Sequence, residues 1–199
     1  MLTTPRYGRP VRGEFELIAA LRERLAGAGP GALTSARLAL GSGDDAAVTV
    51  PGGATATSVD AIVDGVHFRR STFPPRSIGA KALAAALSDL AAMGAEPGEA
   101  YVQLGLPGDM SEADVLALAD GLGEVAGETG VVVAGGDVVR SPVLFLAITA
   151  VGHAATPAEL LSRGGAVPGD ALLVTGPLGG AGAGLHLLDG LEVPTLPPE

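Results

Sequence analysis

Residues 81–97 read KALAAALSDLAAMGAEP and give the clearest structural signal in the chain. Apolar residues recur there at helical spacing, and Gly94 with Pro97 beyond it is typical of a helix end. The pattern predicts a helix over residues 77–93 and a strand over 98–106. Asp89 lies inside that helix beside small residues that leave room for a ligand; an ordinary solvated charge is the alternative.

The regions on both sides of this segment also mix helices and strands. Since the elements do not alternate strictly, the predicted fold class is α+β, with a mixed or antiparallel sheet and helices packed on one face. The further predicted elements are helices over 14–27, 111–129 and 183–188, strands over 46–50, 55–60, 131–134, 143–153 and 171–175, and a turn over 51–53 that joins two of the strands.

Composition limits the classes of function. The 199 residues carry a net charge of −10, and Arg140 and Arg163 are the only cations after Lys81, so the basic face of a nucleic-acid-binding protein is absent. Zero Cys excludes thiolate metal sites, and no apolar run is long enough for a membrane span. A cytoplasmic enzyme is predicted. If it binds a polyphosphate, metal ions must supply most of the positive charge.

Four acidic motifs provide the ligands for such ions. Each places an aspartate beside small residues, which let a backbone or a phosphate approach closely, and hard cations such as Mg²⁺ prefer carboxylate and phosphate oxygens. Solvated turns and helix charges explain each motif about as well when it is considered alone. The motifs are GSGDDAAV (41–48), SVDAIVDGVHF (58–68), LSDLAAMGAEP (87–97) and AGGDVV (134–139).

The three histidines favour no zinc site, because they are widely separated in the sequence. His67 is more often structural than catalytic in such a context, and structural roles are expected for His153 and His186. The Gly-rich segment 176–184 does not match G-x-G-x-x-G, and the chain has no G-x-x-x-x-G-K-[ST] motif. Dinucleotide-binding and P-loop classes are therefore excluded.

Taken together, the motifs resemble the N-terminal part of the thiamine-monophosphate kinase family, within the superfamily of aminoimidazole ribonucleotide synthetase. The resemblance runs from about Gly13 to Leu188. The segments that carry it are GEFELI (13–18), GDDAAV (43–48), GVHF (65–68), KALAAALSDLAAMGAEP (81–97), GGD (135–137) and LLSRGGAVPGDALLVTG (160–176).

The resemblance implies Mg²⁺-assisted transfer of the γ-phosphate of ATP onto thiamine monophosphate, with no catalytic residue assigned beyond the metal ligands. It implies ATP contacts from Gly136, Asp137 and Arg163, and a contact from His67 to the thiamine phosphate. It also implies a homodimer in which the two sheets pair into a barrel. The implied metal ligands are Asp45, Ser58, Val59 (through its carbonyl), Asp60, Asp89 and Asp137.

The chain also departs from the family pattern. Position 59 is Val where Thr is common, and the helix over 111–129 lacks the family's tyrosine at the ATP base. We expect a flexible N-terminus over 1–13, an ATP- and metal-binding domain over 14–154, and the start of a second domain with a Pro-rich linker over 155–199. With the rest of the second domain missing, this fragment is expected to be inactive by itself.

Two other functions stay open at this point. One is a different ATPase of the same superfamily, of the hydrogenase-maturation or selenophosphate type; the absence of Cys argues against it. The other is a non-catalytic module for dimerisation and nucleotide binding.

Overall fold

The computed structural model describes residues 13–29, 32–41 and 46–191. Its two compact units comprise residues 1–162 and 163–199. The elements of the first unit are α1 (Glu14–Gly27), β1 (Leu38–Leu40), β2 (Val48–Thr49), β3 (Ala54–Val63), α2 (Pro75–Ala92), β4 (Glu96–Leu106), α3 (Glu112–Thr129), β5 (Val132–Arg140), β6 (Phe145–Ala154) and a 3₁₀ turn (Pro157–Glu159); the second unit contains α4 (Gly180–Leu188).

The main sheet has four strands in the order β3-β6-β4-β5. The β4–β5 pair is parallel, and β6 runs antiparallel to both of its neighbours. β1 and β2 form a separate antiparallel pair. The mixed α+β class is therefore confirmed.

One face of the sheet is buried beneath the helices. Period-2 alternation puts Leu146, Ile148 and Ala150 of β6 on that face, all fully buried. They join one hydrophobic core with the buried positions of α2 and α3, which are mostly Leu, Ile and Ala. On the other face, Thr55, Thr57 and Val59 of β3 are exposed. This face, made by alternate residues of all four strands, is called the uncovered face below.

Helices α2 and α3 cross at very short range because glycines occupy the crossing. A Cβ on Gly79 would meet the backbone of Leu118, and a Cβ on Gly121 would meet the backbone of Arg76. The ends of α3 follow from local sequence. The hydroxyl of Ser111 accepts a hydrogen bond from the backbone N–H of Asp114 at 3.1 Å, and Gly130 ends the helix in the left-handed conformation.

The structure departs from the predicted elements in three places. The segments 46–50 and 55–60 contain strands, but β2 pairs with β1 and β3 pairs with β6, so they do not form a hairpin with each other. The segment 171–175 is not a strand, and β1 was not predicted. In the first of these cases the outcome depends on pairing with a distant strand, β6, which the local sequence does not encode. Within the described ranges, no helix is both long enough and apolar enough to cross a lipid bilayer.

Candidate functional site

Three oxygen-bearing side chains lie where α2 covers the edge strand β3. Ser58 and Asp60 are two residues apart on β3, so their side chains share the helix-covered face, about 7 Å apart along the strand. The hydroxyl of Ser58 donates a hydrogen bond to Oδ2 of Asp89 on α2 at 2.5 Å. The structure therefore brings together residues from two motifs that are 31 positions apart.

This group has the donor chemistry of a hard-cation site, because it offers two carboxylates and a hydroxyl. One oxygen of Asp60 accepts the backbone N–H of Ala61 at 2.8 Å, and the carboxylate is partly exposed. Asp44 and Asp45 lie outside the described residues. In the part of the chain that the structure describes, no three His, Asp or Glu side chains are arranged to hold a metal ion.

Asp137 lies far from this group within a single chain. Asp137 lies on β5, the edge strand opposite to β3, and pairs there with Gln103 of β4. Three strand spacings separate the two edges, or about 14 Å. Val138 packs on the core, so by alternation Asp137 belongs to the uncovered face. Val59 also lies on the uncovered face, opposite Thr149, with its side chain 70% exposed.

Gly136 has a structural reason to be glycine. A Cβ at this position would lie 2.1 Å from the carbonyl oxygen of Val102 on the neighbouring strand. Close approach of the β5 and β4 backbones therefore requires a residue without a side chain here. Arg163 belongs to the second unit and is exposed.

His67 lies in an exposed turn that directly follows β3. Its Nδ1 accepts a hydrogen bond from the backbone N–H of Val63 at 3.1 Å. A nitrogen that accepts a hydrogen bond carries no proton, so the neutral ring holds its proton on Nε2. The turn thus presents an N–H donor to solvent, which is the group that a phosphate oxygen would accept.

A second charged cluster near this turn was not found by sequence reasoning. Nε of Arg70 donates to Asp64 at 2.9 Å, and its two terminal nitrogens donate to the carboxylate of Asp109 at 3.0 and 3.1 Å. Asp109 and Asp64 raise the pKa of Arg70, and the hydrogen bonds from Arg70 lower the pKa of Asp109. Arg70 and Asp109 are therefore both charged at neutral pH. The Asp109 partner is 39 residues away, so no local signal reveals it.

His153 has a buried partner that the sequence did not indicate. Its Nε2 lies 2.8 Å from Oε2 of Glu99, and both side chains are 2% exposed. Gly98 leaves the space for the ring, since a Cβ there would lie 2.4 Å from it. The structural role expected for His153 is consistent with this burial.

Comparisons with known proteins identify relatives over most of the chain. The family model described as AIR synthase related protein, N-terminal domain, matches residues 43–154. The thiamine-monophosphate kinase of Synechococcus elongatus is 41% identical over 149 residues, which are 73% of this chain and 45% of that protein. The Escherichia coli enzyme of the same name is 40% identical over 181 residues, covering 88% of this chain and 52% of that protein.

Solved structures agree with these sequence relatives. A crystal structure of thiamine-monophosphate kinase from Stenotrophomonas maltophilia superposes with a TM-score of 0.58 at 36% identity, covering 76% of this chain and 43% of that one. A hydrogenase maturation protein HypE superposes with a TM-score of 0.65 at 26% identity, covering 81% and 50%. The chain spans about half the length of the curated relatives it matches.

Proposed function

Because this chain belongs to the family of AIR synthase related proteins, through the N-terminal domain matched over residues 43–154, we propose that it contributes the metal- and ATP-binding domain of an enzyme that phosphorylates thiamine monophosphate to thiamine diphosphate. The names of its relatives support the choice of substrate. One structural observation carries the proposal. The Ser58–Asp89 hydrogen bond brings side-chain oxygens of two acidic motifs together, two residues along β3 from Asp60.

The proposed mechanism relies on positioning and charge neutralisation, which dominate phosphoryl transfer. Asp60, Asp89 and Ser58 would hold Mg²⁺ together with Asp45, and the Val59 carbonyl is a further proposed ligand. The bound ions would neutralise the phosphates of ATP, a task for which this acidic chain has few Lys and Arg side chains. Gly136, Asp137 and Arg163 are proposed to contact ATP.

His67 is proposed to orient the acceptor. Its exposed Nε2–H can donate to a phosphate oxygen of thiamine monophosphate, because the hydrogen bond from Val63 fixes the lone pair on Nδ1. Holding the acceptor in line with the γ-phosphate is the contribution that such a donor makes to the rate.

A second proposal concerns assembly. The chain would form a homodimer through the uncovered face, closing the two sheets into a barrel. Val59 is 70% exposed and Val139 is 37% exposed on this face, and a second copy would cover both. The apolar strand β6 is internal, between β3 and β4, so it offers no open edge for pairing. The support for the dimer is therefore the exposed valines of the uncovered face, which a second copy would bury.

A non-catalytic dimerisation and nucleotide-binding module is the alternative from another class, favoured by the chain's match to only about half of its relatives' length. An ATPase of the hydrogenase-maturation type is the alternative within the superfamily, favoured by the superposition on HypE.

The test is direct. The 199-residue chain and the product of its full open reading frame are each mixed with ATP, Mg²⁺ and thiamine monophosphate, and thiamine diphosphate is measured. We expect weak nucleotide binding and little turnover from the chain alone, and turnover from the full product. Asp60→Asn should abolish that turnover. Asp120→Asn is the matched control, because Asp120 pairs with Arg24 on the α1–α3 side of the domain.

Three results separate the proposals. Robust thiamine diphosphate formation by the chain alone would mean that these 199 residues contain everything the reaction needs, which contradicts the expected inactivity of the chain by itself. Nucleotide binding without turnover by the full product would favour the non-catalytic module. Hydrolysis of ATP that does not depend on thiamine monophosphate would favour the other ATPase.

A further inference from the structure

The turn that carries His67 is closed by a short local network. Gly65 adopts a positive φ of 81°, and its backbone N–H donates to the carbonyl of Phe68 at 2.8 Å. Phe68 is buried and anchors the end of the turn in the core. His67 is exposed at the top, and the hydrogen bond that its Nδ1 accepts from the backbone N–H of Val63 orients the ring.

Arg70 closes the same turn from outside. Its backbone N–H and its Nε both donate to the carboxylate of Asp64, at 3.2 and 2.9 Å. These two bonds tie the first residue of the turn to the chain that leaves it. The ring of His67 therefore sits inside a loop whose two ends are clamped through one side chain.

The other side of Arg70 reaches a different element. Its terminal nitrogens form a bidentate pair with Asp109 in the loop between β4 and α3. Such a planar fork fixes direction as well as distance, which a lysine cannot do. Through Arg70, the His67 turn is thus held against a second loop of the domain.

Burial indicates what this network contributes. The side chain of Asp109 is 67% exposed and that of Arg70 is 35% exposed. Exposed ion pairs add little to the stability of a fold. Four donors of Arg70 bind two carboxylates, which fixes the position of the guanidinium group. Since such exposed pairs add little stability, we interpret the network as one that orients a neighbouring group.

We propose that Arg70 is a positioning residue that orients His67 by clamping its turn between Asp64 and Asp109. The contribution to catalysis rests on the proposed function, in which His67 contacts the phosphate of the acceptor. The clamp itself is a property of this chain and can be tested without any enzymatic activity.

The first measurement follows the imidazole nitrogens of His67 by two-bond ¹H–¹⁵N NMR at a pH at which the ring is neutral. The chain has three histidines, and His67→Gln assigns the signal. In the wild type we expect an unprotonated, hydrogen-bonded Nδ1 and a protonated Nε2. Arg70→Gln should move both resonances towards those of a free, tautomer-averaged imidazole.

Arg76→Gln is the matched control, because Arg76 makes the same kind of two-point ion pair with Glu124 between α2 and α3. It should leave the His67 signals unchanged. If Arg70→Gln unfolds the chain, Asp109→Asn replaces it, since this variant removes only the exposed half of the clamp. Unchanged His67 signals in the folded Arg70 or Asp109 variant would overturn the proposal.

The second measurement uses the full-length enzyme. Arg70→Gln should raise KM for thiamine monophosphate about tenfold while KM for ATP stays unchanged, the pattern of lost acceptor binding. Shifted His67 signals with an unchanged KM in an active enzyme would overturn the role in acceptor binding. If Arg70→Gln shifts the His67 signals but the wild-type enzyme does not use thiamine monophosphate, the clamp is supported and the proposed function is contradicted.

Discussion

Replacing Gly121 by Ala tests how closely α2 and α3 must approach. In an open helix this change stabilises by about 1 kcal/mol, because Ala is the better helix former. Here the new Cβ would lie 1.9 Å from the carbonyl oxygen of Arg76 and 2.7 Å from the backbone nitrogen of Ala80. Ordinary contacts need about 3.4 Å, so α3 would have to move by about 1.5 Å away from α2.

The free-energy cost of moving α3 decides whether Gly121→Ala stabilises or destabilises the fold. Overpacking of a core costs about 1–3 kcal/mol, and a gap of this size also weakens the dispersion contacts along the whole crossing. We expect a net loss of about 2 kcal/mol, which lowers Tm by about 4–8 °C in a domain of this size. Thermal unfolding followed by circular dichroism measures it.

Gly127→Ala is the control in the same helix. The Cβ at this exposed position would have only the carbonyl oxygen of Ala28 nearby, at 3.8 Å. Without a clash, the helix-propensity gain should raise Tm by about 2–4 °C. If Gly121→Ala were as stable as Gly127→Ala, the tight crossing inferred for α2 and α3 would be wrong.

Three further outcomes are expected. Millimolar Mg²⁺ should raise the Tm of the chain, since a ligand that binds only the folded state stabilises by RT ln(1 + [L]/Kd), and Asp89→Asn should remove this response; a wild-type Tm that Mg²⁺ leaves unchanged, with and without ATP, would argue against the site. Light scattering should give the mass of a dimer at micromolar concentration and that of a monomer for Val59→Asp on the uncovered face; a wild-type monomer would exclude the proposed pairing. Ser111→Ala should cost about 1 kcal/mol in urea unfolding because the N-cap bond to Asp114 is lost, and an unchanged midpoint would contradict that role.

The sequence by itself determined the elements whose signals are local. The periodic apolar residues and the glycine stop predicted α2, and the helix predicted over 111–129 corresponds to α3; both are present in the structure. The acidic motifs led us to expect Ser58, Asp60 and Asp89 in one site; the structure brings Ser58 and Asp89 into a hydrogen bond, with Asp60 two residues along β3, and the metal site itself stays a prediction. Capping and periodicity act over a few residues, so a single sequence contains them.

Only the tertiary structure decided which strands are neighbours. β3 pairs with β6, far along the chain, and not with the adjacent segment 46–50. This strand order puts Asp137 on the opposite edge from Asp60, although both aspartates belong to similar-looking motifs. The Arg70–Asp109 and Glu99–His153 pairs join residues 39 and 54 positions apart. Such contacts depend on how the sheet and the helices pack. That packing is determined by the burial of the whole core, and no short segment of sequence contains it.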